Sequence, residues 1–135
     1  MNYLDQQDYW LGLRINGERY ALSAVFVHSV FLHHESEQMV KDLRVTGLVV
    51  HEGEPVFLRN HFQLLRYKRR PDNVAHWQQV LKGNTAPWIV VLKDGAEKSL
   101  GFRVNNIVGP FRAEGIQEAS YLQHNGSDFH LLEIL

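Results

Sequence analysis

The stretch from Trp88 to Pro110 limits what this chain can fold into more than any other. It begins with five apolar residues, Trp88–Leu92, and reaches a polar tip that contains Asp94-Gly95. Apolar residues then alternate with others in the run Leu100-Gly101-Phe102-Arg103-Val104-Asn105. A period of two places the two sets on opposite faces of a sheet, and Asp-Gly supplies the positive φ angles of a tight reversal. We therefore predict a β-hairpin with one strand buried on both faces and one half-buried.

Composition excludes several classes of protein. The chain has 135 residues, which suits one domain or two very small ones that share a core. It has no cysteine, so disulfides, thiolate metal sites and cysteine nucleophiles are excluded. The net charge of -1 creates no global basic field. The sequence has neither an apolar run long enough to cross a membrane nor a secretory signal, so we expect a cytoplasmic protein without direct membrane insertion.

More hairpins precede the central one. Residues 9–15 and 18–22 read as strands on either side of Asn16-Gly17, a strong hairpin signal. Ser23 can cap a short helical turn, and residues 30–32 are predicted to form a third strand before a polar loop over 33–42. Residues 45–50 and 55–58 flank a turn at Gly53-Glu54.

One helix and a final hairpin complete the pattern. Residues 71–83 predict a helix that begins at Pro71 or Asp72 and ends at Gly83, with Val74, Trp77 and Leu81 on one face. Asn125-Gly126 marks a last turn before a closing strand over 129–135. About nine or ten short strands with one helix indicate an all-β fold of small barrels or a sandwich. Strand counting favours two barrels of about five strands that meet near residues 60–87.

The histidines and the known catalytic motifs give little support to an enzyme. His33-His34-Glu35, with His28 upstream, could ligate a metal only if fixed elements brought them together. Adjacent residues of a strand point to opposite faces, so solvated histidines are the better interpretation. No nucleophile elbow, metalloprotease, P-loop or dinucleotide-binding motif is present. We expect no catalytic residue, no metal and no cofactor.

Two features leave alternatives open. The basic run over residues 66–70 holds four positive charges and Tyr67, as in a small barrel that binds nucleic acid. The slightly negative chain favours a solvated loop there, and we expect no nucleic acid partner. Trp77 and Trp88 suit the core, whereas Trp10 lies out of phase with Leu11 and is expected to be exposed.

The order of these features resembles the CheW-like domain of bacterial chemosensory proteins. Residues 9–22 are similar to its opening hairpin, and Val25-Phe26-Val27-His28-Ser29-Val30 to the turn and strand that follow. Leu100-Gly101-Phe102-Arg103-Val104-Asn105-Asn106-Ile107 is similar to the family's stretch of apolar-Gly-apolar-x-Val-Asp-x-Val, and residues 130–135 resemble its closing strand.

The resemblance implies two intertwined five-stranded SH3-like β-barrels with one short helix between them. Barrel one would comprise residues 9–65 with the closing strand 129–135, barrel two residues 87–122, and the connecting helix residues 71–83, all within one domain over 1–135. Members are non-enzymatic adaptors that couple chemoreceptor cytoplasmic tips to the SH3-like regulatory domain of a histidine kinase, at membrane-associated receptor arrays. A localisation domain that binds the kinase or receptors without regulating the kinase is an alternative.

The resemblance also implies contact residues, namely Val27, Ser29, Val30, Gly47, Glu52 and Gly53. Core packing is an equal alternative for Val27 and Val30, and Gly47 also suits a strand position where backbones approach closely. The sequence departs from the family where Glu52 replaces an arginine, which favours a different partner. Asn105 replaces the family's aspartate, and the return strand after Pro55 is degraded.

Overall fold

The computed structural model describes residues 9–33, 47–67, 86–93, 99–113, 115–117 and 120–135. Most of these residues lie in twelve strands: β1 (Tyr9–Ile15), β2 (Glu18–Ser23), β3 (Val27–Leu32), β4 (Gly47–His51), β5 (Glu54–Leu58), β6 (Leu65–Tyr67), β7 (Trp88–Leu92), β8 (Ser99–Val104), β9 (Asn106–Arg112), β10 (Gly115–Gln117), β11 (Tyr121–His124) and β12 (Ser127–Ile134). A 3₁₀ turn, Ala24–Phe26, and a short helix, His61–Leu64, join strands. The predicted all-β class is confirmed, whereas the predicted helix over 71–83 lies outside the described residues.

Three hairpins turn through two residues with positive φ, the geometry whose twist matches that of paired strands. Asn16-Gly17 and Asn125-Gly126 have φ angles of 52° and 88°, and of 50° and 76°. Both turns are confirmed predictions. In the third, Glu52 and Gly53 have φ angles of 52° and 81°, and Glu54 already begins β5. The sequence placed this turn one residue too late, at Gly53-Glu54.

The strands form two sheets, and the chain passes repeatedly between them. One sheet has seven strands, in the order β10-β11-β12-β2-β1-β9 with β6 also paired to β12. The other has five strands, in the order β3-β7-β8-β5-β4. The central hairpin is confirmed as the antiparallel pair β7–β8, in which Trp88 faces Val104 and Val90 faces Phe102.

The pairing corrects the expected residue ranges of the two barrels. The range 9–65 grouped β3, β4 and β5 with β1 and β2, but these three strands belong to the five-stranded sheet. Likewise, the range 87–122 grouped β7 and β8 with β9, which instead pairs with β1. Partners such as β3 and β7 are far apart in sequence, and local hydrophobic patterns carry no information about such pairing.

The buried apolar residues of the described part of the chain form three clusters. The shared core lies between the sheets and contains Leu11, Leu13, Ile15, Tyr20, Leu22, Leu65, Val90, Leu92, Phe102, Val104 and Leu132. A second cluster lies on the other face of the five-stranded sheet: Phe31, Val49, Val56, Leu58, Ile89 and Val91. A third lies on the other face of the seven-stranded sheet: Ala21, Phe111, Leu122, Phe129 and Leu131. Strand β7 is therefore buried on both faces, as predicted.

The expectation that Trp10 is exposed is wrong. Trp10 is half-buried and packs against the third cluster, because both faces of β1 are covered and not only the face of Leu11. The expectation that the His33 side chain lies in solvent is also wrong, since this residue is only 5% exposed. His28, by contrast, is exposed as expected. His34 and Glu35 lie outside the described residues.

Candidate protein-interaction site

The two edge strands of the five-stranded sheet, β3 and β4, come together through their side chains. The imidazole of His51 stacks on the phenyl ring of Phe31, with ring centroids 3.7 Å apart. Phe31 and Val49 also share the second apolar cluster. The strand directions in the sheet make β3 and β4 antiparallel to each other. We call the surface along this junction the β3–β4 seam, comprising residues 27–32 and 47–53.

All six contact residues named from the resemblance lie on the seam, at different depths. Val27 and Val30 are half-buried and pack against the shared core. Ser29 is half-buried, and its hydroxyl lies 3.2 Å from Nδ1 of the neighbouring His28. Because Phe31 faces His51, the antiparallel direction places the Ser29 end of β3 on the side of the Glu52-Gly53 turn.

Gly47 lies at the opposite end of β4 and is buried. A Cβ atom there would come within 3.3 Å of Cδ1 of Leu58, its partner on β5. The structure thus gives Gly47 a packing role, in which the small residue lets the two strands lie close together.

The Glu52-Gly53 turn is the most exposed part of the seam. The side chain of Glu52 is 84% exposed, and its carboxylate lies 3.8 Å from Nε2 of His51. Glutamate is uncommon at positive φ, where asparagine and glycine predominate. The carboxylate of Glu52 therefore lies in solvent at the end of β4, next to the imidazole of His51 that stacks on Phe31 of β3.

Two exposed apolar residues on the seam were not identified from the sequence. Leu32 is 52% exposed and Val50 is 38% exposed. They neighbour Phe31 and His51 in sequence and point to the opposite face, because side chains alternate along a strand. Both segments read as continuous apolar runs, in which no alternation separated inward from outward positions. The exposure of Leu32 and Val50 could have been predicted only with the knowledge that β3 and β4 are edge strands of the sheet.

An arginine fixes the end of β3 where Leu32 lies. Nη1 of Arg103 donates to the backbone oxygens of His33, at 2.9 Å, and Ala86, at 3.3 Å. Nη2 of Arg103 lies 3.3 Å from Nδ1 of His33. A guanidinium has no acceptor, so Nδ1 accepts this hydrogen bond and Nε2 carries the proton of the neutral ring. The backbone at the end of β3 is thus held to β8, which lies two strands away in the sheet.

The basic run of residues 66–70 gives no stacking platform in its described part. Nε of Arg66 donates to Oε1 of Glu133 at 2.8 Å, which neutralises one of the charges. The hydroxyl of Tyr67 lies 3.3 Å from that of Tyr20, and its ring packs on the shared core. Residues 68–70 lie outside the described part. The arrangement of Arg66 and Tyr67 accords with a packed strand.

No group of three or more histidine, aspartate or glutamate side chains in the described residues could hold a metal ion. No helix among them is both long enough and apolar enough to span a membrane.

Comparisons with known proteins place the fold. No protein family model matches the sequence, and no curated protein matches it. The structure is similar to the crystal structure of the scaffolding protein TtCheW from Thermoanaerobacter tengcongensis, with a TM-score of 0.56 and 11% sequence identity. The match covers 94% of this chain and 89% of the other. The chain has a CheW-like fold. The likeness in fold agrees with the two-barrel architecture that the sequence resemblance implied.

Proposed function

We propose that this chain is a non-enzymatic adaptor of a bacterial chemosensory array, which couples chemoreceptors to a histidine kinase through protein–protein contacts. The observation that supports the proposal most is the CheW-like fold over almost the whole chain. Fold alone does not determine function, so the argument also needs a surface suited to binding a protein.

The β3–β4 seam is such a surface. It has an apolar centre, Leu32 and Val50, and a charged border at Glu52, which is the arrangement typical of protein interfaces. Its backbone is held in place by the Phe31–His51 stack on one side and by Arg103 at the end of β3. A surface that is already ordered loses less conformational entropy on binding. We propose the seam as the contact with the SH3-like regulatory domain of the kinase.

The residues of the seam fall into two groups, those that would touch the partner and those that would position the strands. Leu32, Val50 and Glu52 present side chains to solvent, so they would touch the partner directly. Val27 and Val30 pack on the shared core, so they would act by setting the position of β3. Gly47 and Gly53 would do the same for β4 and its turn.

Calorimetric titration tests the proposal. The chain would be titrated with the regulatory domain of a chemosensory kinase from the same cell, at low and at high salt. We expect micromolar binding. Leu32→Asp and Val50→Asp should each weaken it at least tenfold, because a buried, unpaired carboxylate costs at least about 1.4 kcal/mol at an interface. Leu135→Asp is the matched control, since Leu135 is an exposed apolar residue outside the seam.

Two outcomes of the titration would count against the proposal. Absence of binding at high protein concentration would contradict the kinase as partner, and receptor tips would be titrated next. Equal weakening by Leu135→Asp would contradict the seam as the site. A kinase assay completes the test: binding that leaves autophosphorylation unchanged in the presence of receptors would favour a localisation domain over a regulatory adaptor.

A further inference from the structure

A row of hydrogen-bond donors crosses three neighbouring strands of the seven-stranded sheet. Arg14 of β1 lies directly opposite Arg19 of β2 on one side and Asn106 of β9 on the other. All three residues are exposed. Residues that lie directly opposite each other in antiparallel strands share a face of the sheet, so the three side chains stand side by side. We call these three residues the donor row.

The two arginines of the donor row occupy a position where cross-strand side chains come close together. The Asn16-Gly17 turn has two residues, so Ile15 and Glu18 form the hydrogen-bonded pair that closes the hairpin. The next pair, Arg14 and Arg19, is of the non-hydrogen-bonded kind, in which the side chains are closer than in a hydrogen-bonded pair. Like charges directly opposite each other repel and destabilise the hairpin.

No carboxylate of the described residues neutralises this pair of charges. Neither guanidinium makes an ion pair with a described aspartate or glutamate. Glu18, next to Arg19 in sequence, lies on the other face of β2, because side chains alternate along a strand. There its carboxylate lies 4.0 Å from Nε2 of His130. An anion from outside the described residues would therefore relieve the repulsion.

Asn106 adds uncharged donors to the row. Its Oδ1 accepts a hydrogen bond from the backbone nitrogen of Ile107 at 2.8 Å, and this bond identifies which atom of the amide is the oxygen. The amide NH₂ is then the group that the side chain has left to offer a ligand. Because a guanidinium has donors and no acceptor, the whole row presents donors to solvent.

The backbone that carries the donor row is fixed in place. The backbone nitrogen of Asn105 donates to the backbone oxygen of Arg14 at 2.8 Å. Oδ1 of Asn105 accepts from the backbone nitrogen of Asn16, also at 2.8 Å. These two bonds hold the end of β1 and the turn against the start of β9. A site on ordered backbone loses less conformational entropy when a ligand binds.

We propose that the donor row is a binding site for a phosphate monoester in its doubly charged form. The two guanidiniums match the charge of the group, and their planar forks can each bond two of its oxygens. A carboxylate carries one charge and would leave the second arginine without a counterion. The same phosphate chemistry can come from a small phosphorylated molecule or from a phosphorylated side chain of a partner protein.

Nuclear magnetic resonance titration of the whole chain tests the proposal, with O-phosphoserine as the probe at constant ionic strength. We expect progressive shifts of the Nε–H signals of Arg14 and Arg19 and of the NH₂ signals of Asn106. The dissociation constant should be on the order of 1–10 mM, because the charges are exposed and screened. Serine and glutamate are the control ligands, and neither should shift these signals to the same extent.

The pH of the titration separates a phosphate site from general attraction of anions. A phosphate monoester loses its second charge below a pH of about 6. Binding of O-phosphoserine should therefore be weaker at about pH 5 than at about pH 7.5. General attraction would change in the opposite direction, because the eight histidines of the chain gain positive charge on acidification.

Single variants test the two arginines against a matched control. Arg14→Gln and Arg19→Gln should each weaken binding about three- to fivefold, the value of one exposed charge pair. Arg66→Gln makes the same change in net charge on the same sheet. Its guanidinium is already bonded to Glu133 at 2.8 Å, so this variant should bind O-phosphoserine as the wild type does. Circular dichroism establishes that each variant is folded.

Two further ligands identify the source of the phosphate. A peptide that carries one phosphoserine and binds at least about tenfold more tightly than the free amino acid would identify a phosphorylated partner protein. Equal affinity would identify a small phosphorylated molecule. A single-stranded oligonucleotide that binds more tightly than either would contradict the proposal, because its phosphates carry one charge each and a polynucleotide needs an extended basic track.

Several results of the titration would overturn the proposal. One is the absence of shifts in the donor row at a large excess of O-phosphoserine. Another is equal binding of glutamate, and a third is an equal loss of affinity in Arg66→Gln and in the two row variants. No kinase domain or receptor is present in these experiments, so the phosphate site fails or stands separately from the proposed function.

Discussion

The imidazole ring of His51 lies flat against the phenyl ring of Phe31, with centroids 3.7 Å apart and 2° between the ring planes. The stack joins β3 to β4, the two ends of the five-stranded sheet. A second stack has the same form in the other sheet, where His124 of β11 lies on Phe111 of β9 with centroids 3.9 Å apart. In both sheets an aromatic pair brings together strands that are not neighbours in the ladder, which draws each sheet towards a barrel.

The first prediction is an energetic coupling between Phe31 and His51. A double-mutant cycle with Phe31→Leu and His51→Ala should give a coupling of about 0.5–1.5 kcal/mol, the range for stacked ring pairs. Urea denaturation of the four proteins measures it. The control cycle combines Phe31→Leu with His124→Ala, which belong to different stacks and should be additive within about 0.5 kcal/mol. Equal coupling in both cycles would mean that the stack does not join the strands.

The second prediction concerns Gly101, in the middle of the five-stranded sheet between β5 and β7. A Cβ atom there would lie 2.9 Å from the backbone oxygen of Val90 and 3.1 Å from Cγ1 of Val56. Backbone in a central strand cannot move without loss of its hydrogen bonds, so Gly101→Ala should destabilise the chain by about 1–3 kcal/mol. Ser99→Ala, in the same strand, serves as the comparison. A melting temperature that stays equal in both variants would contradict the close approach.

The third prediction is a dependence of stability on pH through His130. The rings of Tyr20, Tyr67 and Tyr121 surround its imidazole, with centroid distances of 4.8–5.6 Å. This burial lowers the pKa of His130 below the ordinary value of 6.5, and the carboxylates of Glu18 and Asp128 oppose the shift. The unfolded chain then binds more protons than the folded chain below pH 6.5, so stability falls as the pH drops through that range.

Two variants test the role of His130. His130→Phe keeps a ring but cannot take up a proton, so the loss of unfolding free energy between pH 7 and acidic pH should become smaller. Glu18→Gln removes a carboxylate whose nearest oxygen lies 4.0 Å from Nε2 of His130. Without it the pKa of His130 falls further, and the loss on acidification should become larger. Identical pH profiles for wild type and His130→Phe would exclude His130 as the source.

The sequence predicted the local hairpins correctly but did not predict contacts between strands that are far apart in the chain. Asn-Gly turns and the alternation after Leu100 predicted hairpins correctly, because φ preferences and side-chain period act over a few residues. The assignment of β3 to the first barrel failed, since its partner β7 lies about 60 residues away. Burial of His33 was missed for the same reason, because Arg103 holds it from a distant strand. The exposed pair Leu32 and Val50 became recognisable only once both strands proved to be edges.

The last prediction concerns Asn105, where the resemblance to the CheW-like domain led us to expect an aspartate. The structure shows that its Oδ1 accepts a hydrogen bond from the backbone nitrogen of Asn16, at 2.8 Å. Asn105→Ala leaves that nitrogen without this acceptor and should cost about 1–3 kcal/mol of unfolding free energy. Asn105→Asp keeps an acceptor oxygen and adds charge, which strengthens a hydrogen bond from a backbone nitrogen. It should therefore match or exceed the wild type in urea denaturation. If both variants lose stability equally, the amide group rather than the oxygen is what the hairpin requires, and asparagine at this position is not a simple replacement for aspartate.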